Sequence, residues 1–184
     1  MKRIFLIVFL YAMCSVSYAQ GIFADEVTND GVRIITGDPV NVSDITDDVE
    51  LFVSLCYSGP EDVPTYGIAI VPAFKSEFCV KKGMRLLLKD KDNKVVELRA
   101  MGDAYSYVKT VDAFHSIYCL NAFYEVTEKT LSQLCGGIIK MRLEYDKGVF
   151  DKEWKEDKMG EVLKKELAEI KHKVSIEKDF YSDF

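Results

Sequence analysis

Beyond residue 19, four cysteines, two histidines and a scatter of carboxylates are the side chains of this chain that could do chemistry. Cys56, Cys79, Cys119 and Cys135 are far apart, without the close ligand pairs that a structural zinc site needs. Their even number permits disulfides in an oxidising compartment, with three pairings open. Cys56 and Cys119, however, lie among apolar residues, where a free thiol behaves as a small hydrophobe. His115 and His172 are the only histidines, and no serine stands in a G-x-S-x-G turn that would make it a nucleophile. Hydrolysis would therefore need two carboxylates or a Cys–His pair brought together by the fold. The pattern predicts a protein that is not an enzyme and carries no cofactor or metal.

Other polar groups point to turns and surfaces. Asp90-Lys91-Asp92-Asn93 resembles the start of a calcium loop, but it lacks glycine at the sixth position and glutamate at the twelfth. It reads as a charged hairpin turn. Asp44, Asp47 and Asp48 could hold a weak calcium ion, but they read more simply as a solvated loop. Asn41-Val42-Ser43 matches an N-glycosylation sequon. The tyrosines Tyr105, Tyr107, Tyr118 and Tyr124 could form a sugar-stacking platform, although most aromatics in such a chain belong to the core. The Tyr105–Tyr107 segment and Arg142 are the places where a binding surface is expected.

The segment before these residues sets the compartment. Lys2 and Arg3 precede an apolar run from Ile4 to Met13, and Ser17-Tyr18-Ala19 supplies small residues at −3 and −1 of a cleavage site. That order is a secretory signal, too short in its apolar part to anchor in a membrane. Bulky Met13 makes Cys14 a poor lipoprotein site. The expected organisation is a signal peptide over 1–19 and a single β-rich domain over 20–184, periplasmic or secreted, with no membrane span. A net charge of −6 becomes more negative once Lys2 and Arg3 are removed, which excludes an electrostatic footprint for nucleic acid. With 48% hydrophobic and 29% charged residues, the chain can bury a core and is not disordered.

The elements that must position these groups are legible from periodicity. Val49 to Tyr57 alternates as a strand, with Leu51, Val53, Leu55 and Tyr57 on one face. Tyr66 to Val71 is the next strand, expected to end at Pro72. Met84 to Ala100 forms a hairpin. One or two strands follow from Tyr105 to Tyr124. Gly21 to Asn29 is a tether or an edge strand, Gly31 to Ile35 a short strand, and Gly37 to Asp48 a loop. Thr127 caps a short helix to Leu134, Val126 and Leu131 supply a hydrophobic staple, and Gly136-Gly137 stops it. Ile139, Met141, Leu143 and Tyr145 alternate in one more strand. A final helix over 152–174 carries a stripe of Met159, Leu163, Leu167, Ile170 and Val174, which should pack on the sheet.

The run Tyr124-Glu125-Val126-Thr127-Glu128-Lys129-Thr130-Leu131-Ser132-Gln133-Leu134, with the Arg142-bearing strand and the terminal helix, resembles small uncharacterised exported proteins of Bacteroidetes. The resemblance covers the C-terminal half. It implies a cell-envelope setting and a fold, and no activity. The fold expected is α+β: an antiparallel sheet or β-sandwich of about seven strands, with a short helix and a long C-terminal amphipathic helix on one face. The function expected is a non-catalytic interaction module whose partner is another envelope protein. A saccharide or small-ligand module is the alternative.

Overall fold

In a computed structural model, the structure describes residues 22–29, 32–44, 47–59, 64–111 and 116–182. The signal peptide expected over 1–19, with Cys14, and His115 lie outside the described residues. The fold is α+β and mostly antiparallel sheet. Among the described residues the strands are β1 (Ile22–Val27), β2 (Arg33–Gly37), β3 (Val40–Asn41), β4 (Glu50–Gly59), β5 (Thr65–Phe74), β6 (Cys79–Val80) and β7 (Arg85–Asp90). They continue as β8 (Val95–Arg99), β9 (Ala104–Tyr105), β10 (Tyr107–Thr110), β11 (Ser116–Cys119), β12 (Ala122–Val126), β13 (Ile138–Tyr145) and β14 (Gly148–Glu153). The helices are α1 (Glu128–Leu134) and α2 (Met159–Ser182).

An eight-stranded sheet runs in the order β1-β2-β4-β5-β11-β10, with β12 also beside β5 and β3 beside β4. A four-stranded sheet runs β14-β13-β7-β8, and β6 pairs with β9. The strands outnumber the seven expected partly because long ladders are interrupted. One interruption explains a misplaced boundary. Pro72 does not end its strand: β5 continues to Phe74, and Leu51 of β4 stays opposite Pro72. On the other side β12 reaches Ile70 through Ala122, and β11 resumes at Ala73 through Cys119 in the same register. The break falls opposite Pro72, which has no N–H to give a ladder.

The hairpin formed by β7 and β8 is as the alternation predicts, with Leu86 facing Leu98 and Leu88 facing Val96. The helix α1 also keeps its expected ends. The Thr130 N–H donates to Thr127 Oγ1 at 3.2 Å, Val126 and Leu131 are both buried, and Gly137 takes φ +132°. The final helix begins later than predicted, at Met159 rather than 152. Lys152 lies in β14, opposite Met141, because residues 148–153 pair with β13 as a hairpin. Asp157 then opens the helix, its Oδ1 accepting from Gly160 N at 2.8 Å and Ile138 N at 3.1 Å. The stripe Met159, Leu163, Leu167 and Ile170 is buried, with Val174 packed at its end. One apolar core joins this stripe, α1, the four-stranded sheet and one face of the large sheet.

Candidate functional site

The two faces of the large sheet differ in side-chain size. Residues directly opposite in an antiparallel pair share a face. The core face carries Leu51, Val53, Leu55 and Tyr57 of β4 opposite Pro72, Ile70, Ile68 and Tyr66 of β5. The other face carries Phe52, Ser54, Cys56 and Ser58 opposite Val71, Ala69, Gly67 and Thr65. It extends through Ile34 and Thr36 of β2 on one side, and through Phe123, Cys119 and Tyr107 on the other. The floor of this outer face is Ser54, Cys56, Gly67 and Ala69, flanked by the larger Ile34, Phe52, Val71 and Phe123, with Glu50 and Glu125 on the same face opposite Ala73 and Gly67. Ser54, Cys56 and Ala69 are at most 2% exposed, and Cys119 is 5% exposed. Yet its two apolar clusters, Ile34–Cys56–Ala69–Phe123 and Phe52–Val71–Ala73–Ile117–Cys119, take in no described residue from outside the sheet.

The outer face ends in an exposed arm. β10 is the edge strand, and all four of its residues are exposed. It pairs with β11 from Tyr107–Cys119 to Thr110–Ser116, whereas β11 meets β5 only at Tyr118 and Cys119. The hairpin therefore projects past the end of β5. Tyr105, Tyr107, Val108 and Val111 are among the large apolar residues left exposed, Tyr105 at 62% and Val111 at 60%. Lys81 Nζ donates to Tyr105 Oη at 2.7 Å and lies 4.3 Å from its ring centroid, which holds that ring at the base of the arm.

The four tyrosines do not form one platform. Tyr105 and Tyr107 are exposed, Tyr118 is half-buried, and Tyr124 lies in the core with a hydroxyl that finds no partner. Burial pushes the Tyr124 phenol well above its ordinary range. A cleft of about 240 Å³ lies elsewhere, lined by Phe74, Phe78 and Tyr145 with Asp48, Lys75 and Lys147 at its rim. Phe74 stacks on Tyr145 at 5.2 Å and meets Phe78 edge-on at 4.5 Å, so these rings pack mainly on one another.

The thiols are free and unlike a nucleophile's. Cys56 and Cys119 lie opposite Gly67 and Ala73, six residues apart along β5 and so roughly 20 Å from each other. Cys79 is in β6, and Cys135 closes α1. Burial raises all four thiol pKa values, which disfavours the thiolate. His172 is exposed on α2. Arg142 makes two 2.6 Å bonds to Asp151 directly across the β13–β14 pair, so its charge is used within the sheet. Asp90 is the buried pivot of the hairpin turn, accepting from Lys94 N and Gln133 Nε2, each at 2.8 Å. The Gln133 bond comes first among the causes that hold its carboxyl below the usual range. Asn41 is exposed in β3, its Oδ1 accepting from Ser43 N at 2.9 Å.

The acidic loop has lysines where a calcium ion was considered. Lys152 Nζ lies 2.6 Å from Asp44 Oδ2 and 2.6 Å from Asp47 Oδ2, and Lys158 Nζ lies 2.7 Å from Asp44 Oδ1. The Lys152 bond, then the Lys158 bond, pull the Asp44 carboxyl down to about 2. Burial opposes the Lys152 charge, but the two aspartates outweigh it and raise its pKa. Trp154 Nε1 donates to Val42 O at 2.7 Å beside this network. The loop is thereby fastened to β14 and the start of α2. Among the described residues, no group of three or more His, Cys, Asp or Glu is placed to hold a metal.

Glu166 was hidden in the helix stripe. It lies 3% exposed between Leu163 and Leu167, with Oε2 accepting from Leu55 N at 2.5 Å. Leu55 needs this acceptor. The β2 ladder on β4 ends at Thr36–Cys56, and β3 resumes at Val40–Val53 one residue out of step, leaving the Leu55 N–H without a strand partner. The carboxyl fits because Gly37 has no side chain; a Cβ there would lie 2.3 Å from Oε2. Desolvation raises the Glu166 pKa to about 8 against the pull of the Leu55 N–H, with Glu169 and Asp38 adding to the rise and Lys165 opposing it. Its Oε1 is buried without a hydrogen-bond partner among the described residues. No periodicity signal could find this residue, since a glutamate in a helix ordinarily reads as solvated. Among the described residues no helix is long and apolar enough to cross a membrane. No family model, curated protein or solved structure matches this chain.

Proposed function

We propose that the protein is an exported, non-catalytic interaction module of the cell envelope, and that an extended segment of a partner protein adds as a strand beside β10. The observation that carries this reading is the projecting strand β10, the edge of its sheet among the described residues, with Val108 and Val111 exposed. An open, apolar edge is a ready template for strand addition, in which main-chain bonds give affinity and alternate side chains give specificity. Lys109 and Thr110 keep the edge soluble when it is unpaired. The cleft beside Phe74 favours the ligand-module alternative less, because about 240 Å³ is below the usual size of a small-molecule site.

A photo-crosslinking side chain at position 108 of the processed protein, activated in the native envelope, tests this. A single discrete protein adduct, lost in Val111→Glu and absent when the crosslinker stands at position 94, is the expected result. Adducts equal at both positions, or unchanged by Val111→Glu, would overturn the strand-addition reading.

A further inference from the structure

Lys109 of β10 lacks the partner that two comparable cations have. In the four-stranded sheet Lys140 and Arg142 of β13 stand directly opposite Glu153 and Asp151 of β14, and bond to them at 3.4 and 2.6 Å. Opposite charges placed directly across a ladder stabilise the pairing of the two strands. Lys109 has a neighbour on one side only. Across the ladder in β11 it meets Ile117, and among the described residues it makes no ion pair or side-chain hydrogen bond. On its other side stands no described strand.

The two faces of β10 dictate different neighbours. Tyr107 and Lys109 share the outer face with Cys119 and Ile117. Val108 points the other way, in a row with Tyr118 of β11 and Phe74 of β5. A strand added beside β10 extends each row by one residue, at a spacing of about 4.8 Å. Beside Val108 the row continues best with an apolar side chain. Beside Lys109 it continues best with an anion, because Lys109 is the only charged residue of β10. Glu50 of β4 lies in the row of Tyr107, but four strand spacings, roughly 19 Å, from the added strand. That is well beyond the screening length of about 8 Å. Lys81 at the base of the arm already has Asp103 at 3.8 Å. We infer that Lys109 selects the docked segment by charge: the partner's strand carries an aspartate or glutamate directly opposite Lys109, next to an apolar residue that faces Val108. A second copy of β10 does not meet this requirement, since its one charged residue is another lysine.

This selection rests on strand addition beside β10, and the crosslinker at position 108 lets the two fail separately. A side chain at 108 marks the partner residue opposite it, and mass spectrometry of the adduct then reads that residue's neighbours. The expected segment has Asp or Glu immediately before or after the marked residue, whichever way the added strand runs. Lys109→Glu should lower the adduct by about fivefold or more, with an unchanged circular dichroism spectrum. Lys109→Arg should leave it within about twofold, since the charge is kept. Replacing the partner's acid by lysine should restore the adduct in Lys109→Glu. An adduct unchanged by Lys109→Glu, or a marked segment without an adjacent acid, would overturn the charge selection and leave strand addition standing. An adduct on β10 of a second copy would overturn it too. Absence of any discrete adduct at position 108 would sink strand addition and the selection with it.

Discussion

The two faces of the large sheet are made by the same strands and built for different ends. On the core face Leu51, Leu55, Ile68, Ile70 and Tyr124 are large and interlock with both helices and the four-stranded sheet. On the outer face Ser54, Cys56, Ala69, Ala73 and Cys119 are small and join only residues of the sheet itself among those described. Large interlocking side chains commit a face permanently, because any truncation leaves a cavity. Small ones have little to lose on truncation. Burial alone therefore does not separate the two faces; the size of the side chains and the reach of their clusters do.

The sharpest way to break this contrast is to truncate both faces. Ile70→Ala should cost up to about 5 kcal/mol, the upper part of the range for emptying a buried aliphatic site. Urea unfolding of the processed chain measures it, and a loss under 1 kcal/mol would contradict a committed core face. The next effect belongs to Glu166, the polar exception on the core side. Folded, its carboxyl keeps its proton to about pH 8, because it is desolvated against Leu55, Gly37 and the helix stripe. Unfolded, it releases that proton near its ordinary value of 4.5. The folded state binds more protons across this window, so stability falls as pH rises from about 4.5 to about 8 and this group adds no slope above. The full span is on the order of 5 kcal/mol. Glu166→Gln should remove that slope in unfolding curves taken from pH 5 to 9; an unchanged slope would assign it to other groups.

Two smaller effects sharpen the comparison. Trp154→Phe deletes the bond to the buried Val42 carbonyl and should cost about 1–2 kcal/mol, with faster amide exchange in residues 42–44 as its local signature. Cys56→Ala on the outer face should cost about 1 kcal/mol, less than Ile70→Ala, because it removes one sulfur atom from a small buried cluster. A cost equal to that of Ile70→Ala would erase the distinction between the faces.

Much of the frame is local and was therefore readable. The cap at Thr127, the staple of Val126 and Leu131, the glycine stop and the β7–β8 alternation each depend on a few adjacent residues, and each stands where the pattern put it. The apolar stripe of α2 was readable for the same reason, since its period is set by the helix itself. The start of that helix was not. Lys152 and Glu153 have helix-compatible types, but pairing with β13 and the charges of Asp44 and Asp47 hold them in a strand. Of the expected surface, Tyr105 and Tyr107 are exposed on the arm, whereas Arg142 is spent on Asp151.

The sequence by itself determined what is covalently near: the turns, the caps, and the alternation that assigns each strand two faces. Tertiary structure alone decided which contacts those faces make. It broke the β2–β3 ladder beside Leu55 and turned Glu166 inward to fill the gap. It sent two lysines to the acidic loop, and put β10 at the edge of the sheet among the described residues. The physical reason is common to all four. Desolvation, ion pairing and ladder closure here join residues up to 114 positions apart, and no short window of sequence contains both partners.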